Sequence, residues 1–215
     1  MSKIEAVVFD VDGTLVDTSE FIVQAHEYAL KHHNLSVRTR EEIMSQVGKK
    51  LEDCYAFLAP GEDIERLMET HRGFQAENLS LVRPFEHAAD ILAHLRGQDI
   101  RLALFTSRKS VEPSLEISGV DPKLFEVILD ANGVEKGKPD PEGLLSIMGK
   151  LGVTASSVVM VGDAAVDIQA GKNANVAATV GLTHGFGTQK ELESAGADYI
   201  LDSLESLPRL INEIE

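Results

Sequence analysis

The chain has 215 residues, 43% of them apolar and 26% charged, a composition that fits a globular protein with one good-sized domain or a domain carrying an insert. Its formal charge of −15 argues against nucleic acid or an anionic membrane as partner, because both are recognised through basic patches. One cysteine, Cys54, excludes an intrachain disulfide, and no apolar run reaches the length of a signal core or a membrane span, so a cytoplasmic monomer or homodimer is expected.

The run Ile4 to Phe9 is β-branched and aromatic and reads as a buried strand. It ends in Asp10-Val11-Asp12-Gly13-Thr14. Residues i and i+2 of an extended chain point the same way, so Asp10 and Asp12 can share one small space. Two such carboxylates repel unless a cation intervenes, and a hard divalent cation, Mg²⁺ above all, suits them.

From residue 17 to about residue 80 the texture is helical. One apolar stripe takes in Phe21, Ile22, Ala25, Tyr28, Ala29 and His32, a second Ile43, Val47, Leu51 and Cys54, and a third Ile64, Leu67, Met68, His71 and Phe74. Pro60-Gly61 interrupts the region. Beyond Pro84, helices and strands alternate. Strands are expected at 100–105, 125–129, 158–161, 176–180 and 199–201, with helices at 86–98, 110–118, 141–151 and 168–173 and at the C-terminus. Such alternation predicts a parallel sheet covered on both faces. The simplest topology lets the first strand join that sheet. The expected division is therefore an α/β core of residues 1–16 plus 82–215 and an all-helical insert at 17–81, with crossings at Leu15 to Thr18 and Leu81 to Pro84.

In a parallel sheet every strand ends on one edge, where ligands bind. That edge would collect Asp10 and Asp12, Thr106, Ser107 and Arg108, and Gly162, Asp163 and Asp167, with Lys138 from a loop. Carboxylates, hydroxyls and a lysine at one edge suit a phosphoryl group and Mg²⁺. A carboxylate can attack phosphorus, a second can move protons, and a lysine with hydroxyls can neutralise the nonbridging oxygens. Asp163 and Asp167, four apart, would share a face on a helix. Asp140-Pro141 reads as a helix start, with Asp140 as N-cap. Thr106-Ser107 can also cap the helix that follows. The seven histidines show no metal-ligand spacing, and His26, His87 and His94 read as amphipathic or surface residues.

Together these residues resemble the haloacid dehalogenase superfamily of phosphatases. Asp10 to Thr14 resembles its first motif, Thr106 its second, Lys138-Pro139 its third, and Gly162-Asp163 through Asp167 its fourth. The helical insert resembles the superfamily's C1-type cap. The resemblance implies that Asp10 is the nucleophile, Asp12 the general acid and base, and Thr106 with Ser107 and Gly13 the holders of the phosphoryl oxygens. It implies that Lys138 pairs with the phosphate and Asp10, and that Mg²⁺ lies among Asp10, the Asp12 carbonyl, Asp163 and Asp167.

Asp12 argues against a dehalogenase, and Gly162 before Asp163 points away from β-phosphoglucomutase. The stretches Asp167 to Ala174 and Gly181 to Gly187 look most like phosphoglycolate phosphatases and their pyrophosphatase relatives. The substrate so implied is a small phosphorylated metabolite, 2-phosphoglycolate first. Inorganic pyrophosphate, a sugar phosphate, a mutase reaction and non-catalytic ligand binding are the alternatives. Lys49, in the turn Gly48-Lys49-Lys50, His184, where many relatives carry an aromatic residue, and Arg72 are candidate leaving-group contacts.

Overall fold

The computed structural model describes residues 3–47 and 49–214. Gly48, in the expected cationic turn, lies outside the described residues. Strand β1 (Ala6–Phe9) is followed by a tight loop, the short strand β2 (Val16–Asp17) and four helices: α1 (Ser19–His32), α2 (Arg40–Met44), α3 (Leu51–Leu58) and α4 (Ile64–Glu77). The chain returns through β3 (Arg83–Pro84) and then alternates: α5 (Ala88–Gly97), β4 (Arg101–Phe105), α6 (Glu112–Ile117), β5 (Val127–Leu129), α7 (Glu142–Leu151), β6 (Val158–Gly162), α8 (Ala165–Asn173), β7 (Ala178–Leu182), α9 (Gln189–Ser194), β8 (Tyr199–Leu201) and α10 (Leu207–Glu213).

The main sheet has six strands in the order β5-β4-β1-β6-β7-β8, and its pairings are parallel. The fold class is the expected α/β sheet with flanking helices. After β1 the chain builds outward through β4 and β5, then crosses back to add β6, β7 and β8 on the other side. The sheet thus reverses its winding beside β1, the kind of switch point where open α/β sheets bind ligands.

Strand alternation divides the core in two. Val7 and Phe9 of β1, Leu102 and Leu104 of β4, and Val159 and Val161 of β6 face α5 and α10. Ala6, Val8, Ala103, Phe105, Val158 and Met160 face α7 and α8. These strands are buried on both faces, as parallel strands covered by helices must be. The helical segment has a smaller apolar cluster of its own, built from Ala29, Leu30, Tyr55, Ala59, Leu67 and Met68.

Several boundaries differ from expectation. The strand expected at 176–180 runs two residues later, because Val176 packs on the α7–α8 side and Ala177 bonds back to Ala155 and Val158. The two crossing segments are not plain connectors: Val16–Asp17 pairs antiparallel with Arg83–Pro84. Helix α7 starts one residue late. Asp140 accepts from Glu142 N at 3.0 Å, so it braces the first turn from outside. Among the described residues no helix is long and apolar enough to cross a membrane.

Candidate active site

The site forms at the C-terminal ends of β1, β4 and β6. The Asp10 backbone N–H still pairs with Val161 O at 2.9 Å, so Asp10 is fixed by the end of the β ladder. The chain then turns sharply through Gly13, whose φ of +80° lies in the left-handed region that favours glycine. A Cβ there would lie 2.2 Å from Asp163 Oδ2, so the absence of a side chain lets the turn close on Asp163. The Gly13 N–H donates to Val16 O at 2.8 Å. Gly13, expected as a phosphoryl contact, here packs on Asp163. Thr14 Oγ1 donates to Asp163 Oδ1 at 2.8 Å, and Phe186 N donates to Asp163 Oδ2 at 2.8 Å.

Lys138 binds these pieces together. Its Nζ donates to Asp10 Oδ1 at 2.6 Å, to Asp167 Oδ1 at 2.6 Å and to Phe105 O at 3.1 Å, which uses all three ammonium protons. Burial pushes the ammonium toward the neutral form, but Asp10 and Asp167 outweigh it and hold Lys138 protonated well above the usual lysine range. Asp167 is also fixed at the start of α8, where its Oδ2 accepts from Ala164 N at 3.0 Å. Asp163 lies before α8 rather than on it, so the two acids meet across a turn and not along a helix face.

Asp10, Asp163 and Asp167 each place a carboxylate oxygen within 4.8 Å of the others, and all three residues are buried. Burial, the like charge of Asp167 and Asp12, and the opposing pull of Lys138 leave the Asp10 carboxyl raised to about 7. Burial and the charges of Asp10 and Asp167 push Asp163 well above the usual carboxylate range. Three buried acids against one ammonium are driven toward their neutral forms unless a further cation is present, and oxygen donors of this kind fit a hard divalent cation.

Asp12 stands apart from that cluster. Its Oδ1 accepts from Thr18 Oγ1 at 2.7 Å, and its Oδ2 accepts from Arg108 Nε at 2.5 Å. The Arg108 guanidinium lies over the Phe21 ring, 5.1 Å from its centroid. Arg108 was legible as a polar residue at a strand end, but nothing in the spacing marks Asp12 as its partner. Thr106 is buried, and its Oγ1 accepts from Arg108 N at 3.2 Å, a local cap of the loop after β4.

Above Asp10 and Asp12 opens a cavity of about 780 Å³, bounded by Ser107 and Arg108 on the sheet side and by α1, α3 and α4 opposite. Lys49 and Arg72 line it, as expected, and Lys49 Nζ donates to Gln46 Oε1 at 3.0 Å. Cys54 also lines it, but burial pushes its thiol up to about 12, which leaves it protonated at neutral pH. His184 is not brought to the cavity. Its ring stacks on Phe85 at 4.0 Å, and its Nε2 donates to Thr14 O at 3.1 Å. These contacts hold His184 against the turn that follows Asp12. His26, read from sequence as amphipathic or surface, is instead buried, 3% exposed, at the cavity wall.

The model of the haloacid dehalogenase-like hydrolases matches residues 7–180, a span that holds all of these strand-end residues. The chain belongs to this family. Among similar proteins, the pyrophosphatase PpaX of Bacillus mycoides is 30% identical over 215 residues and 99% of each chain. The protein of Dickeya dadantii named Probable phosphatase IndB is 35% identical, over 94% of this chain and 90% of its own. A hydrolase of Pseudomonas syringae superposes with a TM-score of 0.88 at 26% identity, over 98% of this chain and 99% of its own. As a haloacid dehalogenase-like hydrolase, the chain carries an acid pair after β1, a lysine between two acids, and a buried carboxylate trio that can hold a metal.

Proposed function

We propose that the protein is a Mg²⁺-dependent phosphatase that hydrolyses monoesters of small phosphorylated metabolites through a phosphoaspartate on Asp10. The observation that carries this reading is the Lys138 ammonium bound to both Asp10 and Asp167 beneath a cavity into which Asp10 opens. The names of similar proteins, a pyrophosphatase and a phosphatase, support the same class.

The Asp10 carboxylate attacks phosphorus, forming an aspartyl–phosphate bond as the bond to the leaving oxygen breaks. Asp12, in its acid form with the Arg108 ion pair opened, gives that oxygen a proton. It then takes a proton from water, whose oxygen attacks the phosphoaspartate, releasing phosphate and restoring Asp10. Lys138 holds Asp10 in place and offsets charge on the phosphoryl oxygens, with Thr106 and Ser107 beside them. Asp10, Asp163 and Asp167, with the Asp12 carbonyl, would hold Mg²⁺, which would supply further neutralisation of phosphoryl charge. Helices α1 to α4 act as a cap over the site, with the β2–β3 ribbon as its two-stranded stem, and keep bulk water from the reaction.

The cavity favours an organic leaving group, because Ile22, Val47, Leu51, Met68 and Leu79 bring apolar surface to its wall. The compact anions 2-phosphoglycolate and inorganic pyrophosphate are the rival substrates, the second drawn from the name of the Bacillus mycoides relative. The test is hydrolysis of p-nitrophenyl phosphate with Mg²⁺ and with EDTA, by the native protein and Asp10→Asn. Activity only with Mg²⁺ and only with Asp10 supports the reading. Activity that survives the chelator or the substitution contradicts it.

A further inference from the structure

Arg108 lines the cavity from the loop after β4 and is tied to a residue that the hydrolytic chemistry needs free. Its Nε donates to Asp12 Oδ2 at 2.5 Å, while Thr18 Oγ1 donates to Asp12 Oδ1 at 2.7 Å. Both oxygens of the second acid are taken. The ion pair is also sheltered, the side chains of Arg108 and Asp12 being 16% and 14% exposed. Asp12 can serve a leaving oxygen only when this pair opens.

The guanidinium has a second support. It lies over the Phe21 ring of α1, 5.1 Å from the centroid, and such a stack orients the planar fork without help from Asp12. Its two terminal amino groups make no hydrogen bond among the described residues, and neither is a buried atom shut off from solvent. Four N–H groups are thus left for an acceptor.

The other charges of the cavity leave that demand unmet. Lys49, Lys50, Arg72 and Lys109 carry the same sign. Asp10 is held by Lys138, and Glu52 and Glu65 are exposed, where water and salt screen them. His26 on α1 and His71 on α4 also line the cavity, their rings edge to face with centroids 4.5 Å apart. Burial, joined for His71 by the charges of Arg108 and Arg72, keeps both below the ordinary histidine range.

A sheltered guanidinium that gives up one carboxylate needs another anion, because an unpaired charge in such a place is costly. A leaving group that bears a carboxylate or a phosphate supplies one. One charge-assisted bond then replaces another, and Asp12 is released. A neutral leaving group offers Arg108 nothing in exchange. A ligand shifts a two-state equilibrium only by binding one state better, and only the anionic leaving group does so here.

We propose that Arg108 is a specificity-determining residue that passes from Asp12 to an anionic group of the leaving group, so that Asp12 is released by esters carrying a second negative charge. The proposal rests on the phosphatase reading and narrows its substrates to those whose leaving group is itself an acid.

Charged esters and their neutral counterparts test it. 2-Phosphoglycolate is compared with 2-phosphoglycolamide, the phosphate ester of 4-hydroxybutanoate with that of its amide, and the bisphosphate of propane-1,3-diol with its monophosphate. The native protein should favour the charged member about tenfold or more in kcat/KM in at least one pair, and the pairs tell carboxylate from phosphate. Arg108→Gln should raise KM for that charged ester about tenfold or more. It should also raise kcat for the neutral partner about threefold or more, because Asp12 is no longer held. Arg108→Lys, which keeps the charge but not the fork, should recover part of the preference. Arg108→Met, which keeps a stem over Phe21, gives the same reading should the glutamine variant not fold.

No preference in any pair overturns the exchange, as does a preference that Arg108→Gln leaves intact. An equal loss on both members of a pair, or a neutral ester whose kcat does not rise, overturns it too. p-Nitrophenyl phosphate, whose leaving oxygen is stable without a proton, separates the two readings. Its turnover with none of the paired esters sinks the exchange alone. No turnover of any ester sinks the phosphatase reading with it.

Discussion

Lys138 is the residue on which the electrostatics of the site turn. It is 7% exposed and carries the ammonium placed between Asp10 and Asp167. Removing one partner of a buried ion pair leaves uncompensated charge and costs about 3–5 kcal/mol. Lys138→Ala should therefore destabilise the metal-free protein by about that amount in urea unfolding and abolish turnover. A loss under about 1 kcal/mol would mean that the acids are not ionised against it. Asp12 shows a different economy of contacts. Thr18 and Arg108 occupy its two oxygens, so neither points at the acid trio, and the two acids of the first motif are separated in environment although only one residue lies between them.

At the scale of elements, α1 and α4 carry the histidine pair across a buried contact. Burial lowers both imidazoles below 6.5. The sign follows directly. Above pH 6.5 neither the folded nor the unfolded chain protonates them, and they carry no pH-dependent cost. Below it the unfolded chain takes up protons that the folded chain refuses, so stability falls with pH by up to about 1.4 kcal/mol per pH unit for each histidine. His26→Leu should flatten the dependence between pH 6.5 and 5, as read from urea midpoints of the two proteins. Parallel curves would contradict the burial of His26.

Elements and site were unequally legible in the sequence. Strands β1, β4 and β6 announce themselves, because burial on both faces demands continuous apolar runs, and the acids and hydroxyls stand where those runs stop, while Lys138 comes from the loop before α7. The helical stripes were readable for the same reason of periodic burial, although Tyr28, on the first stripe, is 45% exposed. The β2–β3 ribbon was not readable: each strand has two residues, and one includes Pro84, so no period exists to detect. The positions of His184 and His26 were not readable, because a lone histidine carries no periodic signal. What decides between them is the carbonyl each ring reaches, Thr14 O for one and Ile22 O for the other.

For the whole molecule, the excess of buried acid makes folding and metal binding one problem. A cation that binds only the folded chain stabilises it by about 2.7 kcal/mol at a hundred times its Kd. For a chain of this length that raises Tm by roughly 5–10 °C. Mg²⁺ should produce such a rise in the native protein and little or none in Asp163→Ala, followed by calorimetry after EDTA treatment. Equal shifts in both would place the cation elsewhere. The formal charge of −15 points the same way, since an anionic substrate repelled at long range must be held by local cations.

The most direct measurement concerns the bond made by Asp10. The protein is mixed with Mg²⁺ and a turned-over phosphate ester, quenched in acid within a single turnover, digested and read by mass spectrometry. The account predicts one added phosphoryl group on the peptide that contains Asp10, absent in Asp10→Asn. Turnover with no phosphorylated peptide, or with the phosphoryl group on another residue, would contradict it.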